Sequence, residues 1–576
     1  MKIVVYILAL LITVACIALA LEFGLQQFLP DSYRGYLMPD RNGMVKWAIG
    51  PYEPSQAATG FNIPVVEKKP DNTIRIISLG TSGTEGWLSA QTVLNKYGLP
   101  PDPGSLSSYS RALEFAMNES AEPASKKIEV INLGVAAYNI TDVIRMLKDS
   151  LRLDPDMFII QIGGNETWTA ERAKWSSLID TDVPYLYTEL GYEILTGIKA
   201  GWQTLSVGGN AFNPLALFSS KPQPVVLEPP GRAPGLGPRL ENYSAELERL
   251  GKFLARKGIP SLFLVPSQNL ADFLPFGSMA KIGTDAETLD SLNRLLIEAL
   301  AAPPSESRER YMEILALDDG IAEANFQLGK IYLKENDPVK ARELFWKANN
   351  RDLVLKRLPS DFHDISRKFI AQNAFIFIDE MAFFESESSD GVVGYNWLDD
   401  DVHPSRKGQF YLGREIAKTI VENELLGSIR YSADLTRLPT FEQYNQWTGF
   451  NRKSEGNLAY IKGAHNFLAF GRFRQRLLWD PEPERFLSPV LDDLKIANAD
   501  ASIDQALYMS TVINLYLGRS EEGASLIDSM KCDSSPERGA AVQSGMMNMA
   551  YMALGSSMAK VRKQLESELM SKGCQK

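Results

Sequence analysis

The sequence predicts an α/β protein built on a parallel sheet, and three observations carry that expectation. Five short runs, "IRIISL", "IEVINL", "MFIIQI", "SLFLV" and "FIFID", begin at Ile74, Ile128, Met157, Ser261 and Phe375. They are nearly continuous aliphatic segments rather than alternating ones, the pattern of strands covered on both faces. Between several of them lie helical patterns such as "SRALEFAMNES", "ITDVIRMLKDSLRL" and "AELERLGKFLARKG", each long enough to cross over a sheet. Strand and helix therefore alternate, which is the order of a parallel sheet.

The 576 residues exceed what one core serves, ~100–200 residues, so several units are expected. The first, 1–22, holds Lys2 and an uncharged run from Ile3 to Leu21, close to the ~20 residues that cross a hydrocarbon core as a helix. It fits a cleaved signal, with Ala18-Leu19-Ala20 as a cleavage site, or an uncleaved signal anchor, and the length of the run favours the anchor. Cys16 lacks a proper lipobox, since Thr13-Val14-Ala15 precede it and greasy residues follow. A linker and N-terminal extension, 23–70, leads into the sheet domain, expected over 71–300 and 353–426. Within it the stretch 170–235 ends in the Pro- and Gly-rich "PQPVVLEPPGRAPGLGP", which reads as a surface excursion.

Residues 301–352 interrupt that domain. Leu328, Gly329, Tyr332, Ala341, Phe345 and Ala348 fall at the spacing of a tetratricopeptide helical hairpin, preceded by "RERYMEILALDDG", which reads as the second helix of an incomplete earlier repeat. So few repeats cannot bury a solenoid face, and the insertion is expected to lean on the main domain. From about Gly427 strand-like runs vanish, and 427–576 reads as a separate all-helical C-terminal region whose methionines suit core packing.

Composition is that of a globular protein, with 45% hydrophobic and 23% charged residues. A net charge of −11 lacks the basic footprint that nucleic acid requires. Beyond the leader only Cys532 and Cys574 remain, and a disulfide or two free thiols fit equally; no metal-site spacing is present.

The chemistry gathers at strand ends. "RIISLGTSGTEGW" closes a buried strand in a small-residue loop holding Ser82. By itself this loop reads more readily as an ordinary strand-to-helix turn. Yet a serine there can present its hydroxyl at the carboxyl edge of the sheet, where open α/β folds bind ligands. Two other strand ends add donors suited to an oxyanion: a backbone amide at Gly134 and the side-chain amide of Asn165. Far down the chain, "WLDDDVHPSRKGQFYLGREIA" sets His403 three residues after Asp400, so that Asp400 can accept from one ring nitrogen while the other faces Ser82. His363 and His465, the other two histidines, have no comparable setting in the sequence.

On these residues the chain resembles the SGNH (GDSL-like) hydrolases. The four blocks of that family stand in order as Gly80-Thr81-Ser82 with Thr84 and Gly86, Asn132-Leu133-Gly134, Gly163-Gly164-Asn165-Glu166, and Asp400-Asp401-Val402-His403-Pro404. It resembles more particularly the bacterial envelope members with a tetratricopeptide insertion before the last block, and Val265 to Phe276 looks like the segment those members place after the fourth strand. The likeness runs discontinuously from about Gly60 to Glu424. It implies a flavodoxin-like five-stranded sheet, Ser82 as nucleophile, His403 as general base, Asp400 as its orienting partner, and an oxyanion hole from the Ser82 amide, Gly134 and Asn165. Thr81 stands where the family usually has aspartate, and Glu166 where many members have aspartate.

The expected protein is then an exported, membrane-tethered serine esterase with no cofactor and no metal. It would act on an ester-bearing glycan or lipid from the periplasmic face of a bacterial inner membrane, or in secreted form if the leader is cut. An acyltransferase with the same triad, or an inactive scaffold in envelope polysaccharide assembly that binds a protein partner on its helices, are the alternatives.

Overall fold

The computed structural model describes residues 68–86, 104–136, 138–167, 236–281, 283–352, 355–427, 430–477, 484–499 and 504–529, with short pieces at 37–39, 44–47, 65–66, 226–227 and 563–565 and single positions at 102 and 561. The leader, Cys532 and Cys574, and most of the 170–235 excursion lie outside these residues. Among the described residues no helix is long and apolar enough to cross a membrane.

Five parallel strands form the central sheet: β1 (Thr73–Gly80), β2 (Lys127–Gly134), β3 (Met157–Gln161), β4 (Ser261–Val265) and β5 (Ile376–Asp379). Their order across the sheet is β5-β4-β3-β1-β2, so the chain steps outward once from β1 to β2 and then returns past β1. That reversal opens a crevice at the carboxyl ends of β1 and β3. The register pairs Gly80 with Gly134 and Leu79 with Ile160, bringing all three expected strand ends to one rim.

Alternate residues of each strand face opposite layers. Ile77, Leu79, Leu133, Phe158, Ile160 and Phe263 pack on one side against α2 (Ile140–Ser150), α3 (Leu236–Lys257) and α8 (Ser360–Asn373). Ile74, Ile76, Ile128, Ile159 and Leu264 face the other side, against α1 (Tyr109–Ser120), α9 (Glu380–Glu387) and α10 (Arg406–Glu422). Arg75 departs from the aliphatic pattern: it is wholly buried, with its guanidinium 2.7 Å from both Glu129 and the Leu153 carbonyl.

Between β4 and β5 lie α4 (Ala286–Ala301), α5 (Pro304–Leu317), α6 (Ala322–Lys334) and α7 (Pro338–Asn350). α6 and α7 pair closely because Gly329 has no side chain: a Cβ there would stand 2.7 Å from the Phe345 ring. Phe326, Ala341, Phe345 and Ala348 belong to the same apolar cluster as the sheet, so the insertion does lean on the main domain. Beyond α11 (Phe441–Thr448) the described chain is helical, with α12 (Arg452–Leu477), α13 (Glu484–Asn498), α14 (Asp504–Tyr516) and α15 (Ser520–Ser529). α12, α13 and α14 share a core around Tyr460, Phe467, Leu494 and Val512, which Leu106 of the sheet domain also joins. α12 also hydrogen-bonds to the sheet domain. Ser105 on the sheet domain donates to the Ser454 carbonyl, Asn457 donates to Asp102, and Asn466 donates to the Asp399 carbonyl.

Candidate active site

The turn after β1 is a single helical turn, Ser82–Glu85, which places Ser82 half-buried at its first position. An amide at that position has no partner within its own helix. Several side chains fix the turn from below. The Asn132 amide donates to the Thr84 carbonyl at 2.7 Å, and Glu85 accepts from the Ala136 amide at 2.9 Å. Thr84 donates to Gln161, whose own amide donates to the buried carboxylate of Glu380 at 2.7 Å. Burial pushes the Glu380 carboxyl up to about 7, against the hydrogen bonds from Gln161 and Ser267. Gly134 must be glycine because a Cβ there would stand 2.3 Å from the Glu85 backbone nitrogen.

Thr81, at the position where aspartate was expected, is buried and makes no capping hydrogen bond; its side chain packs against Gly164.

His403 comes to this turn from the other end of the domain. The loop before α10 is closed by Asp400, whose Oδ1 accepts from the Val402 amide at 2.9 Å and the His403 amide at 2.8 Å. The segment 265–276 holds the same loop from behind: Asn269 donates its side-chain amide to the Asp400 carbonyl and its backbone amide to that of Asp401. Gln409, on α10, then joins both halves of the site. It accepts from the Tyr109 amide at 2.7 Å and donates to the Gly83 carbonyl at 2.9 Å.

The result is a continuous line of three groups. The Ser82 Oγ lies 2.8 Å from His403 Nε2, and His403 Nδ1 lies 2.6 Å from Asp400 Oδ2, across 321 positions of chain. Burial alone would raise the Asp400 carboxyl, but the adjoining His403 and His465 rings outweigh it and hold the carboxyl well below the usual carboxylate range. An ionised carboxylate accepting from Nδ1 fixes the tautomer in which Nε2 is the proton acceptor, the state required of a general base.

The two further oxyanion donors stand at the expected rim but are already engaged. The Gly134 amide donates to Asn132 Oδ1 at 2.9 Å. The reason is local: an asparagine two residues earlier can fold its side chain back on the strand end. Asn165 donates to the Tyr138 carbonyl at 2.8 Å, which fixes the plane of its amide. Glu166 accepts from the Ile140 amide at 3.1 Å and ties this loop to the start of α2.

The other histidines divide. His363 is a core residue: burial pushes it down to about 4, its Nε2 faces the Gln268 amide at 3.1 Å, and its ring meets Trp346 edge to face. His465 does not fit the expectation of an unremarkable setting, because its Nε2 lies 3.2 Å from Asp400 Oδ2. The only sequence cue was its place on a helical pattern, since the partner is far away in the chain. Asp400, Asp401 and His465 bring one ligand atom each within 4.8 Å of one another. These donors are already occupied: Asp400 by the two histidines and two amides, and Asp401 by Lys356 at 2.7 Å.

No protein-family model and no curated protein matches the chain. Among solved structures, the crystal structure of LAE5, an alpha/beta hydrolase enzyme from the metagenome of Lake Arreo, Spain, is similar over 63% of this chain and 99% of that chain, at 12% identity and a TM-score of 0.25.

Proposed function

We propose that this chain is a serine ester hydrolase of the SGNH type. What carries the reading is the line Ser82, His403, Asp400, with both links at hydrogen-bond length. His403 Nε2 takes the Ser82 proton as Oγ attacks the ester carbonyl carbon, and the charge on the resulting imidazolium is balanced by Asp400. Collapse of the tetrahedral intermediate expels the alcohol, which takes that proton from His403 and leaves an acyl group on Ser82. Water activated by the same ring releases the acid.

The Ser82 amide and Asn165 are the donors for the oxyanion in this scheme, and Gly134 joins them by exchanging Asn132 for the substrate oxygen. No step calls for a metal or an organic cofactor. The apolar run at 3–21 supports a place in the bacterial envelope, tethered by the leader, and an O-acylated glycan or lipid is the substrate class proposed for it there.

The test is covalent labelling of the full chain by a fluorophosphonate, beside Ser82→Ala and His403→Ala. Labelling of the parent that each substitution lowers by roughly 10³-fold or more supports the enzyme. An unlabelled parent would overturn it in favour of a binding or scaffold protein.

A further inference from the structure

Asp400 Oδ2 is shared. His403 reaches it from within the catalytic loop at 2.6 Å, and His465 reaches it from α12 at 3.2 Å. With two backbone amides on Oδ1, this wholly buried carboxylate has a donor for each of its about four lone-pair sites. The neighbouring contact follows the same line, since Asn466, next on the helix, donates to the Asp399 carbonyl at 3.2 Å. α12 therefore grips the side chain of Asp400 and the backbone of the residue before it.

We propose that His465 is a positioning residue for Asp400, so that the site is complete only when α12 is docked on the loop; this rests on the hydrolase reading above. The ring acts in two ways. It confines a carboxylate that would otherwise hold one empty acceptor site in a dry pocket, and it draws on the same oxygen that must balance the imidazolium of His403. Other titratable groups face the same carboxylate, among them Tyr395 and Asp399, the latter pushed up to about 6 by burial. Asp401 pairs with Lys356, and Lys462, three residues earlier on α12, pairs with Asp493 of α13 at 3.4 Å and lies near Asp399. Among these groups, His465 is the one that meets the Asp400 carboxylate.

Two variants and two readouts test this on the full chain. His465→Ala leaves Oδ2 to His403 alone, while His465→Gln keeps an N–H in the place of Nε2. In His465→Ala the fluorophosphonate rate is expected to fall roughly three- to tenfold, and the acid limb of its pH profile to move, because Asp400 Oδ2 is then left to one ring in place of two. In His465→Gln both are expected to stay near the parent. A purely structural role would lower the melting temperature of His465→Ala and leave the limb in place, which overturns the proposal. The second readout, deuterium exchange at the His403 ring C2–H against pH, needs no activity. If the parent is not labelled at all, the hydrolase reading falls, and this exchange still decides the pairing. An exchange profile unchanged in His465→Ala overturns it.

Discussion

At Glu166 a single carboxyl sets a pH dependence of the whole fold. Burial pushes it up to about 7, and the amides of Ile140, Gly164 and Asn165 offset only part of that. The folded chain thus keeps a proton that the unfolded chain sheds above its ordinary value of 4.5. The site favours folding fully below that value, and the advantage is lost as pH rises through about 7. Glu380, also pushed up to about 7, acts with the same sign. Thermal stability is expected to fall between pH 5 and 8 by an amount on the order of 2–3 kcal/mol from Glu166, and Glu166→Gln to flatten that slope. Calorimetry across that range checks it; an equal slope in the variant would refute the assignment. Ser82 stands out in the sequence in the loop after β1, and Asp400 and His403 together in one block ahead of α10, and the three side chains meet in the fold. His465 was not legible, because nothing near it in sequence announces its partner. The engagement of the Gly134 amide by Asn132 was equally hidden, since the same two residues also spell an open strand end.

Among elements, the strands were the most legible, since covering on both faces writes itself as unbroken aliphatic runs, although Phe377 in the edge strand β5 stands exposed despite lying in such a run. Arg75 shows the limit of that rule: a buried guanidinium sits within β1 because Glu129 on the adjacent β2 and the Leu153 carbonyl satisfy it. The α6–α7 hairpin was legible from its small and aromatic spacing, but its attachment was not fully so. Phe345 belongs to the apolar cluster of the sheet and is almost fully buried. Phe345→Ala is therefore expected to destabilise the sheet domain as a whole by about 3–5 kcal/mol, rather than to loosen the insertion alone. Hydrogen exchange would show it: amides of β4 and β5 should lose protection with those of α7, and protection retained in the strands would count against a shared core.

On the scale of the molecule, helical periodicity announced the C-terminal region but could not say what it rests on. An amphipathic face specifies that it will be covered, not by what. Here α12 meets the loop of Asp399 to His403 and, in the sheet domain, Asp102 and Ser105. A chain ended after Gly449, lacking α12 to α15, is expected to label with fluorophosphonate at least about tenfold more slowly than the full chain, through loss of the grip on Asp400. Labelling at the parental rate in that shortened chain would show that the sheet domain suffices.

The 321 positions between Ser82 and His403 also order events in time. As the polypeptide is made, the alcohol emerges long before the ring that would activate it, and the helix that steadies Asp400 follows later still. On the hydrolase reading proposed above, a nascent chain carrying this serine would be chemically quiet, its reactivity waiting until the last third of the molecule has folded back over the first.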